Sequence, residues 1–324
     1  MEDRLSPRPL SGHQAVLTHG RYRAEIASIG ASLRSLTYEG RDLIVPFAAD
    51  EVRPVFRGAT LVPWPNRIAS GRYTFEGKTY QLPLTEPDRN NSLHGLGIWE
   101  DWSIGSSTPD SVTFCLRIPA QEGYPFDVAV QSTFTLDEEG LRWAVTATNL
   151  STVASPFGVA SHAYLTAGAG HVNEWTLSLP ADRVLEVSPD RLLPVALRSV
   201  DSFSHGTLDF RSPRLIEDSF IDHAFTQLRP SDDGMSHVAL TAADGQGVAM
   251  TWDAGPLPWV QVHTADRPEP ELNRCGLAVE PMSCPPDAFN SGTDLVVLAP
   301  GDTYPLPSWK SPSLRRSLTR PCHG

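Results

Sequence analysis

Along much of the chain, apolar and polar side chains alternate with a period of two, which puts them on opposite faces of extended backbone. In VTFCLRI, Val112, Phe114, Leu116 and Ile118 share one face and Thr113, Cys115 and Arg117 the other. In VAVQSTFTL, Val128, Val130, Phe134 and Leu136 oppose Ala129, Gln131, Thr133 and Thr135. LRWAVTATN, WTLSL, HVALTAA and GVAMTW repeat the pattern, and turn-forming stretches such as DEEG, AADGQG and DAGPLP separate the runs. No segment carries an apolar stripe of helical period over three turns, and DHAFTQL is too short to predict a helix. Many short strands joined by turns predict an all-β fold, a large antiparallel β-sandwich or barrel rather than a parallel α/β sheet. No internal repeat or Ser/Gly/Pro-rich linker divides the chain. A single domain over residues 1–324 is expected, with a core at about 15–309 and poorly packed ends.

Composition sharpens this picture. The 324 residues include 24 Gly and 29 Pro, which favour turns over helices. The formal net charge is −12, and the only basic cluster is Arg315-Arg316. That balance speaks against nucleic acid, anionic membrane surfaces and heavily phosphorylated partners. No apolar run approaches the roughly 20 residues that span a bilayer. The N-terminus lacks the basic-then-apolar order of a secretory signal, so a cytoplasmic location is expected. Cys115, Cys275, Cys284 and Cys322 lack metal-type spacing and are expected as free thiols, with no metal site.

Three regions carry polar groups that a sheet rarely needs. In LVPWPNRIASGRY, Asn66 and Arg67 follow two prolines that bracket Trp64; an arbitrary arginine there reads as a solvated loop residue. In NNSLHGLG, His94 precedes Gly95, which lets the backbone turn sharply and present the imidazole; read alone, it is more often a turn or core histidine. The third region is a pair of runs. Alternation in FGVASHAYL puts Gly158, Ala160, His162 and Tyr164 on one face, and in CGLAVEP it groups Gly276, Ala278 and Glu280. Both ionisable groups thus sit among small neighbours, where a ligand can approach the sheet. WVQVHT agrees, with Trp259, Gln261 and His263 opposite Val260 and Val262. The plainer alternative is that Glu280 faces solvent or pairs with an arginine. A carboxylate and a histidine beside a concave β face suit general acid/base chemistry. Trp64, Trp259 and Tyr164 offer flat apolar surfaces for a sugar ring. No GxSxG, HExxH, phosphate loop or dinucleotide fingerprint is present.

Taken together, NRIASGRYTFEGKTYQLP, NNSLHG, SHAYL, FIDHAF, WVQVHT and LAVEPMSCPPDAFN, in that order over roughly 20–308, resemble the aldose 1-epimerase (galactose mutarotase) family, in its bacterial form. The resemblance implies a large antiparallel β-sandwich with a sugar in an open cleft. It implies Glu280 as general base and His162 as general acid, with Arg67, His94, Asp222, Asn66 and Gln261 holding sugar hydroxyls or helping at the anomeric end. Two stretches depart from the family: His162-Ala163-Tyr164-Leu165-Thr166-Ala167 replaces the common His-Ser/Pro-Tyr-Phe-Asn-Leu, and His263-Thr264-Ala265-Asp266 replaces Tyr-Thr-Gly-Asn. They leave acid and base in place and bear on which aldose is taken.

The implied reaction is anomer interconversion of a free aldose by ring opening and reclosure. It is pure proton transfer and needs no cofactor or metal. The expected partner is a small-molecule sugar, bound by a monomer or homodimer. Three alternatives stay open. A hexose-phosphate epimerase would want extra cations near the cleft, and such relatives carry an HGF-A-R stretch where this chain has His94-Gly95-Leu96-Gly97. A non-enzymatic sugar-binding or sensing protein could dispense with Glu280 or His162. A glycoside hydrolase would use Asp222 and Glu280 as a carboxylate pair.

Overall fold

The computed structural model describes residues 8–310, with the side chains of 305–308 excepted. Cys322, Arg315-Arg316 and most of the two expected loose ends therefore lie outside the described residues. The part of the N-terminal stretch that is described is anchored: Ser11 is buried and bonded to the Ala49 carbonyl, and Arg8 pairs with Asp101.

The fold is all-β. Its helical content among the described residues is a few single turns, the one α-turn being Ala288–Ser291. A nine-stranded sheet runs in the order Ser103–Ser107, Ser111–Ile118, Val128–Asp137, Gly140–Asn149, Thr303–Lys310, Gly247–Trp252, Ser236–Thr241, Thr176–Ser178 and Arg214–Leu215. An eight-stranded sheet runs Pro194–Ser199, Ala181–Val187, Asp222–Leu228, Trp259–His263, Leu277–Met282, Ala160–Ser161 and Thr60–Leu61, and Ala163–Leu165 also pairs with Leu277–Met282. Ladder pairing is antiparallel throughout both sheets. The alternating runs of the sequence are these strands. DHAFTQL is the strand Asp222–Leu228.

The two large sheets face each other across one apolar core. Val112, Phe114, Phe134 and Trp143 come from one sheet and Val184, Phe225, Val260 and Val279 from the other, all buried. Two polar contacts bolt the layers within that core. Trp309 Nε1 donates to Ser161 Oγ at 2.7 Å, and the Thr60 and Ser132 hydroxyls lie 3.0 Å apart. Each buried hydroxyl thereby has a partner, which removes most of the cost of placing it in apolar surroundings. Ser161 faces inward for this contact, so alternation turns its neighbour His162 outward.

Trp64 and Trp259 do not reach a ligand surface. Trp64 packs on Tyr124 and Phe289 in the core. Trp259 does lie on the outer face, as alternation predicts, but it is roofed over in a small cluster with Ala59, Leu61, Ile98 and Met282, and its Nε1 donates to Asp294 at 2.7 Å. Tyr164 is buried behind His162, its ring stacked on the imidazole at 5.2 Å. Bulky amphipathic rings satisfy protein packing and a binding site equally well, and here packing against neighbouring side chains took all three.

Candidate active site

Three neighbouring strands set a row of functional groups on the outer face of the eight-stranded sheet. Ala160 lies opposite Met282 and Ala163 opposite Val279, a register that puts His162 opposite Glu280. On the other side of Glu280, its cross-strand partner is Gln261. One strand further, Asp222 lies opposite His263. The run predicted as one strand over 157–165 is broken into Ser155–Phe157, Ala160–Ser161 and Ala163–Leu165. His162 falls at one of the breaks: its amide donates to the Ala59 carbonyl and its carbonyl accepts from Gly58, so its backbone is tied to a neighbouring loop instead of the ladder.

Loops supply the facing wall. Asn66 adopts a left-handed conformation (φ 54°) just before the short strand Arg67–Ala69. His94 is likewise left-handed (φ 63°), and its amide bonds the Asn66 carbonyl at 2.8 Å. Gly95 makes this turn possible: a Cβ there would meet the Val62 carbonyl oxygen at 2.1 Å. The late PPDAFN motif fixes this wall. Asp287 donates its amide to the Arg67 carbonyl at 2.7 Å and accepts the Ala69 amide on its carboxylate at 2.9 Å.

All seven sequence-predicted residues, Asn66, Arg67, His94, His162, Asp222, Gln261 and Glu280, line one cavity of about 360 Å³. That volume suits a monosaccharide. Sequence reasoning missed Glu86, Phe56 and Phe220, which also line it, and assigned no role to His263, a residue of the same strand face and of a stretch that departs from the family. The rim carries Arg89 and Arg267 together with Asp88 and Asp266, so the cations the phosphate reading wants are offset by carboxylates.

Within the cavity, His162 Nε2 stands 3.4 Å from Glu280 Oε1. The His94 ring lies edge-on to His162 at 5.1 Å. Arg67 is clamped by Glu86 through Nε and Nη2 at 2.8 and 2.9 Å, and its Nη2 lies 3.9 Å from Asp222. Gln261 Nε2 donates to Asp222 Oδ1 at 2.6 Å. Several buried polar atoms in this group have no protein partner: Glu280 Oε2, Gln261 Oε1 and Nδ1 of both His94 and His162. Unpartnered donors and acceptors converging in one cleft are what a polyhydroxylated ligand would satisfy.

Burial governs the ionisation of the row. It raises the Glu280 carboxyl well above its ordinary range; the Asp222 charge adds to this and Arg67 opposes it. His162 is lowered to about 3, first by burial and then by the neighbouring His263 charge. His94 is lowered well below its usual value by burial, then by His162 and Arg67. Asp222 behaves oppositely: burial would raise it, but His263, Arg67 and the Gln261 hydrogen bond hold it down as a carboxylate. Burial thus disfavours the charged forms of Glu280 and His162, while the neighbouring Asp222 is held as a carboxylate beside Arg67. Among the described residues no three His, Cys, Asp or Glu side chains converge as a metal site. Cys115, Cys275 and Cys284 are free thiols.

Comparison with known proteins places this cavity in context. The sequence profile of the family described as Aldose 1-epimerase matches residues 13–308. The YihR protein of Escherichia coli K12, whose function is uncharacterized, is 38% identical over 297 residues, 91% of this chain and 92% of its own. Human galactose mutarotase is 27% identical over 318 residues, 89% of this chain and 90% of its own. Among solved structures, a GalM/aldose epimerase homologue from C. elegans superposes with a TM-score of 0.79 at 21% identity, covering 94% of this chain and 99% of that one. The fold is theirs.

Proposed function

The chain belongs to the aldose 1-epimerase family, and on that premise we propose that it interconverts the α and β anomers of a free aldose, with Glu280 and His162 as the proton-transfer pair. The observation that carries the reading is the 3.4 Å approach of His162 Nε2 to Glu280 Oε1 across paired strands, in a sugar-sized cavity. The pair holds one proton. With that proton on Nε2, the Glu280 carboxylate accepts the C1 hydroxyl proton while the imidazolium protonates the ring oxygen. The C1–O bond breaks to the open aldehyde, rotation about C1–C2 presents the other face, and the reverse transfers close the second anomer. Every proton returns to its starting group.

The resting site disfavours this charge-separated arrangement, because burial opposes both charges. Sugar hydroxyls that bond Glu280 Oε2 and Gln261 Oε1 would supply the missing polar partners, so the reactive form is tied to substrate binding. Arg67, held rigid by Glu86, and Asp222, held by Gln261, would orient hydroxyls through charged hydrogen bonds. A binding protein would need no such acid/base pair, which favours the enzymatic reading over a sensor. The test is polarimetry on freshly dissolved pure anomers of several aldoses. Catalysed mutarotation of at least one supports the reading, and uncatalysed drift with all of them overturns it. No helix among the described residues is long and apolar enough to cross a membrane.

A further inference from the structure

We propose that Phe56 is a positioning residue for the acid/base pair: a clamp between two buried arginines presses its ring onto the His94–His162 pair and fixes how His162 faces Glu280. The inference rests on the proposed function for its kinetic consequence but not for its structural one.

The first observation is backbone strain. In the turn Pro54–Phe56, Val55 has φ 41° and Phe56 φ 62°. Two successive left-handed residues without glycine, one of them β-branched, persist only where surrounding contacts over-determine them. Those contacts are present on both sides. Arg53 is buried and its guanidinium donates to the Ile29 carbonyl at 3.0 Å, Ser32 Oγ at 2.6 Å and the Ile98 carbonyl at 2.5 Å. Its outer side is covered by Trp99, with the guanidinium carbon 4.4 Å from the ring centre. Arg57 is buried as well, donating to the Pro46 carbonyl at 3.1 Å and to Cys275 Sγ at 3.2 Å. Gly58 completes the clamp, since a Cβ there would meet the Leu33 carbonyl oxygen at 2.0 Å.

The second observation is what the clamp holds. The Phe56 ring meets His94 edge-on at 4.9 Å and His162 at 6.1 Å. The same segment bonds the His162 backbone in both directions, Gly58 N to His162 O at 2.8 Å and His162 N to Ala59 O at 2.9 Å. His162 is therefore packed by Tyr164 stacked behind it, His94 at its edge and Phe56 beyond. No side-chain hydrogen bond orients the imidazole through Nδ1. Apart from the Nε2 contact with Glu280, packing is the device that remains, and Phe56 is the member of the packing set that comes from a strained loop and touches both histidines. The charged and titratable groups around His162 are Glu280, His94, Tyr164, His263, Asp222 and Arg53.

The test compares Phe56→Ala and Phe56→Leu with the unaltered protein, using anomer-exchange kinetics and the imidazole NMR signals of His162 as pH is lowered. Phe56→Ala is expected to lose about 10-fold in kcat with KM changed less than about 3-fold. In the same variant His162 should begin to protonate at a higher pH than in the unaltered protein, because loss of the ring exposes the imidazole to solvent. Phe56→Leu, still apolar and able to cover the ring, should restore most of kcat and the original titration. A rise in KM with His162 titrating as before would make Phe56 a sugar contact and overturn the proposal. So would unchanged kinetics and titration in Phe56→Ala. Loss of kcat in both variants with no movement of the His162 signals would reduce Phe56 to a structural role and also refute it. If even the unaltered protein fails to catalyse anomer exchange, the proposed function falls, while the titration still decides whether Phe56 governs His162.

Discussion

Glu86 grips Arg67 through two parallel hydrogen bonds, Nε to Oε2 at 2.8 Å and Nη2 to Oε1 at 2.9 Å. Neither side chain is more than about one-eighth exposed. This bidentate fork fixes the guanidinium plane at the cavity wall, 3.9 Å from Asp222. Glu86 comes from the loop before Asn91–Leu93 and also accepts from Asn91 Nδ2 at 3.1 Å, so one carboxylate registers the arginine against the strand that leads to His94.

Loosening that fork should be felt in binding. Arg67 holds sugar hydroxyls in ground and transition states alike on this reading, so Glu86→Gln is expected to raise KM by about 3- to 10-fold with a smaller effect on kcat. Arg67→Met should raise KM further. It should also lower the thermal midpoint, because it strands the Glu86 carboxylate in a buried site. Steady-state anomer exchange and a thermal melt check both; an unchanged KM in Glu86→Gln would mean that the fork serves stability alone.

Glu280→Gln separates function from stability in the opposite sense. The swap is nearly isosteric and removes the proposed base, so kcat should fall at least about 10²-fold. Burial raises the Glu280 carboxyl above its ordinary 4.5, so its ionisation costs stability, and the cost grows as pH climbs from that value toward the folded-state one. Near neutral pH the amide should therefore melt at the same temperature as the unaltered protein or higher. A variant that keeps full activity, or that melts well below the parent at neutral pH, contradicts the assignment.

The histidines set the acid side of the stability profile. His94, His162, His223 and His263 are all lowered from 6.5, each chiefly by burial. The unfolded chain binds these protons first, so their contribution is intact above the unfolded value of about 6.5 and is lost as pH falls below it toward the folded-state values. The thermal midpoint should drop progressively as pH is lowered from about 7 to 5, before most carboxylates titrate. His162→Asn should flatten part of that slope. A midpoint constant over this range would show that these rings are far more hydrated than their burial implies.

How much of this was legible in the sequence follows from the kind of signal each feature leaves. Period-two runs gave the strands Ser111–Ile118, Val128–Asp137, Gly140–Asn149 and Gly247–Trp252 nearly to the residue, because a half-buried antiparallel strand writes its pleat into its composition. The outward placement of His162, Gln261 and Glu280 came from the same rule, and register then put them in one row. The break of the strand at His162 left no mark, since loop-to-strand hydrogen bonds are made by backbone that any residue carries. Glu86 and Phe56 were invisible for a related reason. Their roles depend on long-range contacts, with His162 more than 100 positions from Phe56. Asp287 belongs to the PPDAFN motif, but its bonds to Arg67 and Ala69 appear only in the fold. Of the aromatic residues, Phe56 and Phe220 line the cavity, while Trp64 is a core side chain.

His162 and His94 offer the sharpest division of roles. Their rings are 5.1 Å apart and nearly perpendicular, both buried and both lowered in proton affinity, so ionisation alone does not tell them apart. Geometry does: only His162 has an ion-pair contact with Glu280, while His94 is fixed by its strained turn and the Asn66 carbonyl. If His162 protonates the ring oxygen, the interaction matures in the transition state, and its loss should appear in kcat. His162→Asn is expected to cut kcat by about 10²-fold or more with a modest change in KM. His94→Asn should lower kcat less and raise KM more, since a residue in a fixed turn contributes mainly by holding the sugar. Measuring both at saturating sugar by NMR exchange or polarimetry gives the split directly. An intact kcat in His162→Asn together with abolished turnover in His94→Asn would exchange the two roles, moving the acid to the loop wall and leaving the Glu280 strand with the base alone.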